Sequence, residues 1–346
     1  MACRATYLWC LEDSNRPVTP IKQSIFKGRG VIILRPFFWG HHTSHGGAKV
    51  SVPAAYIGII LIWSTTPLAI QWSGTEVGYL FGITSRMMLG VVVALLVAIM
   101  SSIQLPWHTE ARRTYLAAGL GLFFAMTSVY WSSQFIPSGW MSVLFGLAPI
   151  ITGVMASLWL AEQALTISRI IGMLLGLAGL IIMLLGSQTL GPQAAYGIAG
   201  MLFSVTAYSA SAVAIKRIGA DVPALATTLG GLIVTVPLLI GIYIVTGKSL
   251  PAMVPTRAIV AIVYLGVVGS VLGFALYYYV LKHVDTTRVA LITVITPVIA
   301  LMLGHLLNDE AIQTEALIGT AAILSGLLLF EYGQKAGKWV CDTMIG

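Results

Sequence analysis

The sequence predicts an all-α integral membrane protein of ten transmembrane helices, arranged as two inverted five-helix repeats. Composition is the first observation behind this. Of 346 residues, 58% are hydrophobic and 9% charged, where an ordinary soluble domain carries roughly 25% charged residues. So few charges cannot cover the surface of a soluble fold of this length. The second observation is run length: several apolar stretches exceed the ~18–20 residues that a helix needs to cross about 30 Å of hydrocarbon. The third is an internal echo. The segment Tyr130–Glu162 overlays Tyr278–Glu310 without gaps at a spacing of 148 residues, pairing Tyr130 with Tyr278, Pro149 with Pro297, Leu158 with Leu306 and Glu162 with Glu310. Helix end, turn, mid-helix proline and terminal acid recur in one order, and a repeat at a fixed period is a signature of repeated architecture.

Taken in order, the spans are expected at 53–72, 79–101, 114–135, 139–160, 166–187, 194–216, 223–246, 258–281, 287–308 and 312–333. The breaks between them carry turn chemistry: SGTEVG, LPWHTEARR, IPSG, QTLGPQ, IGADVP, TGKSLPAMVP, KHVDTT and NDE. The first five spans make one repeat (53–187), the second five another (194–333), and 334–346 is expected as a cytoplasmic tail.

Residues 1–49 differ from the rest. They hold seven of the nineteen Lys and Arg, three of the six His and two of the three Cys. Their apolar piece Val31–Trp39 is too short to span and is interrupted by Arg35, and no small-residue cleavage site follows it. His41, His42 and His45 have no second ligand group beside them. A disordered basic tail is therefore expected rather than a metal site. Translation is expected to start near Val50, which N-terminal sequencing of the native protein tests; a start well before Lys49 would refute it. The cysteines Cys3, Cys10 and Cys341 lie outside the apolar runs and suggest neither a disulfide framework nor a four-ligand metal site.

Charge sets the orientation. With the N-terminus inside, the inner loops and helix ends hold Arg112, Arg113, Arg169, Lys216, Arg217, Lys282, Arg288, Lys335 and Lys338, and the outer side only Lys248 and Arg257. Nine against two is a strong positive-inside bias and places both termini in the cytoplasm, in a bacterial inner membrane. The net charge of +7 is then an orientation signal and not a nucleic-acid footprint. Five spans is an odd number, so the second repeat must insert upside down relative to the first. The echo reaches the first helix of each repeat, where Trp63 aligns with Tyr208, and the last, where Gly172 and Gly179 match Gly319 and Gly326 after a one-residue gap. Inverted repeats place a ligand site near mid-membrane at their interface and expose it alternately.

On these residues the sequence resembles the EamA-type proteins of the drug/metabolite transporter superfamily. The likeness rests on Trp63-Ser64-Thr65-Thr66-Pro67 in the first span and Ser85-Arg86-Met87 early in the second. It rests also on Pro149, Glu162, Gly172 and Gly179, repeated as Pro297, Glu310, Gly319 and Gly326. It covers about residues 53–333. The resemblance implies ten helices in two inverted repeats, no organic cofactor, a lipid bilayer around the chain and movement of small metabolites, often outward. The seventh span has no counterpart to Arg86. Amino acids, sugars, nucleotide sugars and amphipathic cations all fall within the family's range.

Arg86 lies about seven residues from the outer end of its span, roughly 10 Å deep. An arginine in hydrocarbon costs at least ~2.5 kcal/mol and normally faces a cavity or partner. It reads either as an electrostatic handle for a carboxylate or phosphate or as a side chain reaching back to the interface. Tyr130, Trp131 and Tyr278 sit where aromatic belts gather, and are cavity candidates as well. Trp63 and Thr66, three residues apart, and Ser204, Tyr208 and Ser211, four and three apart, each share one helix face. Such stripes are either cavity wall or helix-to-helix hydrogen bonding. Pro149 and Pro297 are hinge candidates, with Thr293 and Thr296 beside the second to satisfy its freed carbonyls or line the cavity. Glu162 and Glu310 are gate acids at opposite sides. The small-xxx-small pairs Gly172/Gly176 and Gly269/Gly273 read first as packing within the protomer, with a homodimer left open.

Two other classes remain as alternatives, a non-transporting membrane scaffold and a membrane-embedded enzyme. The enzyme would need acids, histidines or nucleophiles converging at one depth, which the sequence lacks. No Gly-rich phosphate loop adjoins a basic residue, and no ring of pore charges appears. The acids Glu76, Glu110, Glu162, Asp221, Asp285, Asp309, Glu310, Glu315 and Glu331 all fall in loops or near helix ends, whereas proton-coupled carriers commonly relay through a buried carboxylate or histidine. Reconstituted flux is therefore expected to persist after a pH gradient is collapsed; flux that ceases with the gradient would contradict this.

Overall fold

A computed structural model describes residues 51–159, 166–186, 190–273, 276, 280 and 286–345, with backbone alone for 286–291, 293–294, 331 and 334–345. The basic segment 1–49, Glu162 and Tyr278 lie outside the described residues, as does the side chain of Thr293. The architecture below is that of the compact unit His45–Gly333.

Among the described residues every regular element is a helix: α1 Val52–Gly74, α2 Tyr79–Met100, α3 Thr109–Ser132, α4 Ser138–Phe145, α5 Ala148–Trp159, α6 Ile167–Gly186, α7 Ala194–Ile218, α8 Ala224–Val245, α9 Thr256–Tyr264 running into a π-helical segment Leu265–Leu272, α10 Thr286–Asn308 and α11 Thr314–Ile345. The ends follow local chemistry. The Ser51 hydroxyl accepts from the Ala54 N–H at 3.3 Å and a proline opens the first turn of α1, which satisfies one of the helix's orphan donors. Helix α7 ends on Lys216 and Arg217 and on Gly219 at φ 65°, a left-handed cap that glycine adopts without steric cost. Seven helical stretches among the described residues are long and apolar enough to cross a membrane, the seven running from Val52–Gly74 to Ala224–Val245, with Ser138–Trp159 counted as one. Three shorter apolar stretches follow, Thr256–Leu272, Ile295–Asn308 and Thr314–Phe330.

Three expectations need correction. The fourth span is not one helix with a mid-helix proline. It breaks between Phe145 and Ala148, and Pro149 sits in the first turn of α5, where its missing N–H costs nothing. The eighth span is not uniformly α-helical but widens to π geometry over Leu265–Leu272. Finally, α11 does not stop at 333 but continues as helix to Ile345.

Helices from the first half of the chain pack antiparallel on helices from the second. Along α1 and α9, Trp72 meets Arg257 and the Thr65 hydroxyl hydrogen-bonds the Tyr264 hydroxyl. Along α3 and α7, the hydroxyl of Ser211 donates to the Ala117 carbonyl at 2.9 Å, that of Ser204 to the Ala125 carbonyl at 2.8 Å and that of Ser128 to the Gly200 carbonyl at 2.7 Å. Along α4 and α10, a Cβ on Gly139 would stand 3.0 Å from the Leu301 Cα, and one on Gly146 3.8 Å from Pro297 Cγ. Along α6 and α11, a Cβ on Gly172 would stand 2.6 Å from the Gly326 carbonyl oxygen, and one on Gly179 2.6 Å from that of Gly319. The four glycines of the sequence echo thus meet across this seam crosswise, Gly172 with Gly326 and Gly179 with Gly319, as antiparallel packing requires. Lipid tails are as apolar as leucine, so helices here gain by close backbone approach and by interhelical hydrogen bonds, worth about 0.6 kcal/mol each on average.

Gly179→Leu is expected to destabilise the fold by about 1–3 kcal/mol through overpacking against backbone, read as a lowered unfolding midpoint in detergent. Gly176→Ala, whose Cβ would meet only side-chain ends, Ile150 Cδ1 at 3.3 Å and Leu147 Cδ2 at 3.4 Å, is the control and is expected to cost far less.

Candidate functional site

At one end of the bundle, helix α4 starts after Pro137, which has no side-chain group to cap it. The exposed N–H groups of its first turn carry partial positive charge. Glu310, from the other half of the chain, supplies the acceptors: Oε1 accepts from the Ser138 N–H at 3.0 Å and Oε2 from the Gly139 N–H at 3.2 Å. Asp309 takes a left-handed φ of 51°, which turns the chain back so that the Glu310 N–H donates to the Gly304 carbonyl at 3.2 Å. Asp tolerates that conformation better than most residues.

Asn308 extends this clasp. Its Nδ2 donates to Glu310 Oε1 and to Gln71 Oε1, both at 3.1 Å, while its Oδ1 accepts from Trp72 Nε1 at 2.9 Å and Arg257 Nη2 at 3.1 Å. The Arg257 guanidinium lies 4.1 Å over the Trp72 ring, a cation–π contact. These groups line a polar cleft of about 120 Å³ with Thr75 and Glu76. Gln71, Trp72, Arg257 and Asn308 are absent from the candidates named from sequence. The run Asn308-Asp309-Glu310 reads there only as a turn, and no sequence signal links it to residues about 170 and 236 positions away.

Deeper in the bundle, Arg86 is 6% exposed, and its Nε and Nη1 have no hydrogen-bond partner among the described residues. Its Nη2 stands 3.8 Å from where a Cβ of Gly269 would be, and Trp63 Nε1 stands 3.7 Å from where a Cβ of Gly273 would be. Both nitrogens therefore face the glycine edge at the end of the π-helical segment. The Ser270 hydroxyl donates to the Leu265 carbonyl five residues back at 2.9 Å. Such widened turns are often found at functional sites. Trp63 also packs against the buried cluster Ala55, Ile59, Ile60, Val280 and Ile292.

The remaining candidates are dispersed. Tyr130 is fully buried, accepts from the Ser73 hydroxyl at 3.2 Å, and packs between α1 and α3. Trp131 lies edge-on to Phe135 at 4.9 Å and close to Gly200. The Thr66 hydroxyl donates to the Ile62 carbonyl at 2.7 Å within its own helix. Ser204 and Ser211 make the helix-to-helix hydrogen bonds that are one reading of their stripe. Their hydroxyls are spent on α3 carbonyls, because in hydrocarbon a hydroxyl next to a glycine-rich helix finds its acceptor there. Tyr208, 39% exposed, instead leans on Phe145 with ring centroids 5.4 Å apart. Thr296 is buried, and its neighbour Pro297 lies beside Gly146 at the break between α4 and α5. The structure thus sets Trp63 and Arg86 along one glycine edge, near Gly273 and Gly269 respectively, and brings the two proline-bearing spans together.

A family model described as the EamA-like transporter family matches the chain twice, over residues 52–185 and 195–332. The uncharacterized transporter YoaV of Bacillus subtilis is 23% identical over 83% of this chain and 99% of its own length. The uncharacterized transporter YvbV of the same organism is 23% identical over 63% and 70%. Protein PecM of Dickeya dadantii is 22% identical over 62% and 71%. A solved structure superposes with a TM-score of 0.57 at 21% identity, covering 82% of this chain and 98% of the other, a likeness of fold.

Proposed function

The chain belongs to the EamA-like transporter family, and we propose that it carries a small metabolite across the bacterial inner membrane, outward, by alternating access between two inverted five-helix repeats. It is a membrane protein of a transporter family and not an enzyme. The observation that carries the mechanism is the pattern of helix contacts. Number the spans one to ten, with α4 and α5 together as the fourth, α9 with its π-helical segment as the eighth, and α11 as the tenth. Exchanging the halves then maps the main contacts between them onto one another. The third span packs on the sixth as the eighth packs on the first, and the third on the seventh as the eighth on the second; the fourth pairs with the ninth and the fifth with the tenth. A pattern of this kind supports an inverted repeat whose moving interface lies between the halves.

Glu310 and Asn308 then close the outer end, both termini being cytoplasmic by the positive-inside bias. The sequence echo places Glu162 as the counterpart of Glu310 at the inner end. The break beside Pro149 and the in-helix Pro297, adjacent through Gly146, are where the two packed spans bend during the exchange.

Purified protein in vesicles loaded with a metabolite extract, followed by mass spectrometry, tests the reading. Saturable, time-dependent efflux of a solute over empty vesicles supports a carrier. Non-saturating efflux points to a pore, and none to a scaffold. Glu310→Gln weakens charge-assisted bonds worth about 1.5–3 kcal/mol. It is expected to shift the population toward the outward-open state by roughly ten-fold, or ~1.4 kcal/mol. The readout is the labelling rate of Thr296→Cys, buried in the present state, by an impermeant maleimide from outside. An unchanged rate would refute the clasp.

A further inference from the structure

We propose that Arg86 and the Gly269–Gly273 edge of the π-helical segment form the binding site for a single carboxylate of the cargo. The inference rests on the carrier reading for the word cargo, and on the local structure for the site.

Among the described residues the cation has no hydrogen-bonded counter-charge. Arg86 is more than nine-tenths buried, its Nε and Nη1 lack partners, and no carboxylate bonds it among the described residues. A structural arginine at this depth would be expected to bond backbone carbonyls or an acid, since a guanidinium has five donors to satisfy and cannot shed its proton.

Local shape points the same way. Next to Nη2 the chain presents a glycine, with only Leu265 Cδ2 at 3.6 Å and Arg86 Nη2 at 3.8 Å near the position a Cβ would take among the described residues. Four residues on, Gly273 lies beside the Trp63 indole nitrogen in a tighter place, with Ile62 Cγ2 at 3.3 Å and the Val268 carbonyl at 3.4 Å from its Cβ position. The segment that carries Gly269 and ends at Gly273 is π-helical, and its Ser270 hydroxyl is turned back to the Leu265 carbonyl. That hydroxyl is therefore not a partner for the guanidinium.

The other half of the chain supplies an internal control. Exchanging the halves turns the contact of the second span with the eighth into that of the seventh with the third. There the interface is closed by the Val234 side chain against Gly119 and by the Thr235 hydroxyl donating to the Gly119 carbonyl at 2.9 Å. An apolar side chain and a satisfied threonine are enough to pack that crossing, so packing does not call for a cation in the other half.

The charge count and geometry select the ligand. One guanidinium neutralises one negative charge, and its planar fork matches the two oxygens of a carboxylate. A phosphate dianion would leave a second charge uncompensated in hydrocarbon. The Trp63 ring along the same edge gives the rest of the cargo an apolar wall.

The test uses the full chain in lipid nanodiscs with phenylacetate, its neutral isostere phenylacetamide, and phenyl phosphate, read as shifts in melting temperature. In the wild type, phenylacetate is expected to stabilise saturably and phenylacetamide not at all. Arg86→Gln is expected to weaken phenylacetate binding at least ten-fold, and Arg86→Lys, which keeps the charge and loses the fork, by less. Without ligand, Arg86→Gln is expected to melt no lower than the wild type, because it removes an uncompensated charge; a lower melting temperature would assign Arg86 a structural role and overturn the site. So would unchanged phenylacetate affinity in Arg86→Gln, or no carboxylate-dependent shift in the wild type up to the solubility of the probe. Phenyl phosphate binding as tightly as phenylacetate through Arg86 would overturn the single-charge assignment. The two readings fail separately. Binding without flux in vesicles defeats the carrier and leaves the site. Solute flux alongside phenylacetate binding indifferent to Arg86 does the reverse.

Discussion

Close backbone approach between the first and second halves of the chain is the constraint on which this structure depends. In hydrocarbon no hydrophobic force drives one helix onto another, so association must come from packing and from polar groups that find acceptors across the contact. Glycine at Gly172, Gly179, Gly319 and Gly326 lets the two helices approach until a methyl group would overlap a facing carbonyl. The hydroxyls of Ser128, Ser204 and Ser211 then reach carbonyls on the neighbouring helix. Residues that pack the halves are thereby the same residues that hold them in register.

The same accounting separates two kinds of polar group. Glu310 and Asn308 are satisfied: the carboxylate takes two backbone N–H groups at the start of α4 and an amide, and the amide ties in Gln71, Trp72 and Arg257. A clasp of this kind can break and re-form at a helix end, where water can replace each bond. Arg86 is the opposite case, a buried cation whose Nε and Nη1 have no partner among the described residues. A satisfied group at the end of the bundle and an unsatisfied one deep within it suit the proposed carrier, in which one would hold a state closed and the other would take a ligand.

Much of this was legible in the residues. The apolar runs and their turn chemistry located the helices to within a few residues, as with 79–101 against Tyr79–Met100 and 194–216 against Ala194–Ile218. The depth of Arg86 and the absence of an acid near it in sequence already singled it out. Periodicity failed for Ser204 and Ser211, because a shared helix face does not say whether the face meets a cavity or another helix. It failed likewise for Pro149, since a proline in an apolar run marks a break without saying on which side the helix restarts; here Gly146 and Leu147 form the break. The clasp was illegible for a different reason. Its members are ordinary polar residues at helix ends, and only contact across some 170 to 237 positions makes them a unit.

The sequence alone determined that this chain is helical and lies in a membrane, because both follow from composition and run length against the thickness of hydrocarbon. It also determined that the chain is built twice over, because the matching order of proline, acid and glycines is a property of the residues themselves. Tertiary structure decided which hydroxyls act as glue, which acid caps a distant helix, and that the eighth span widens beside Arg86. Those are facts about partners, and a partner far along the chain is chosen by packing geometry, which local residue pattern does not encode.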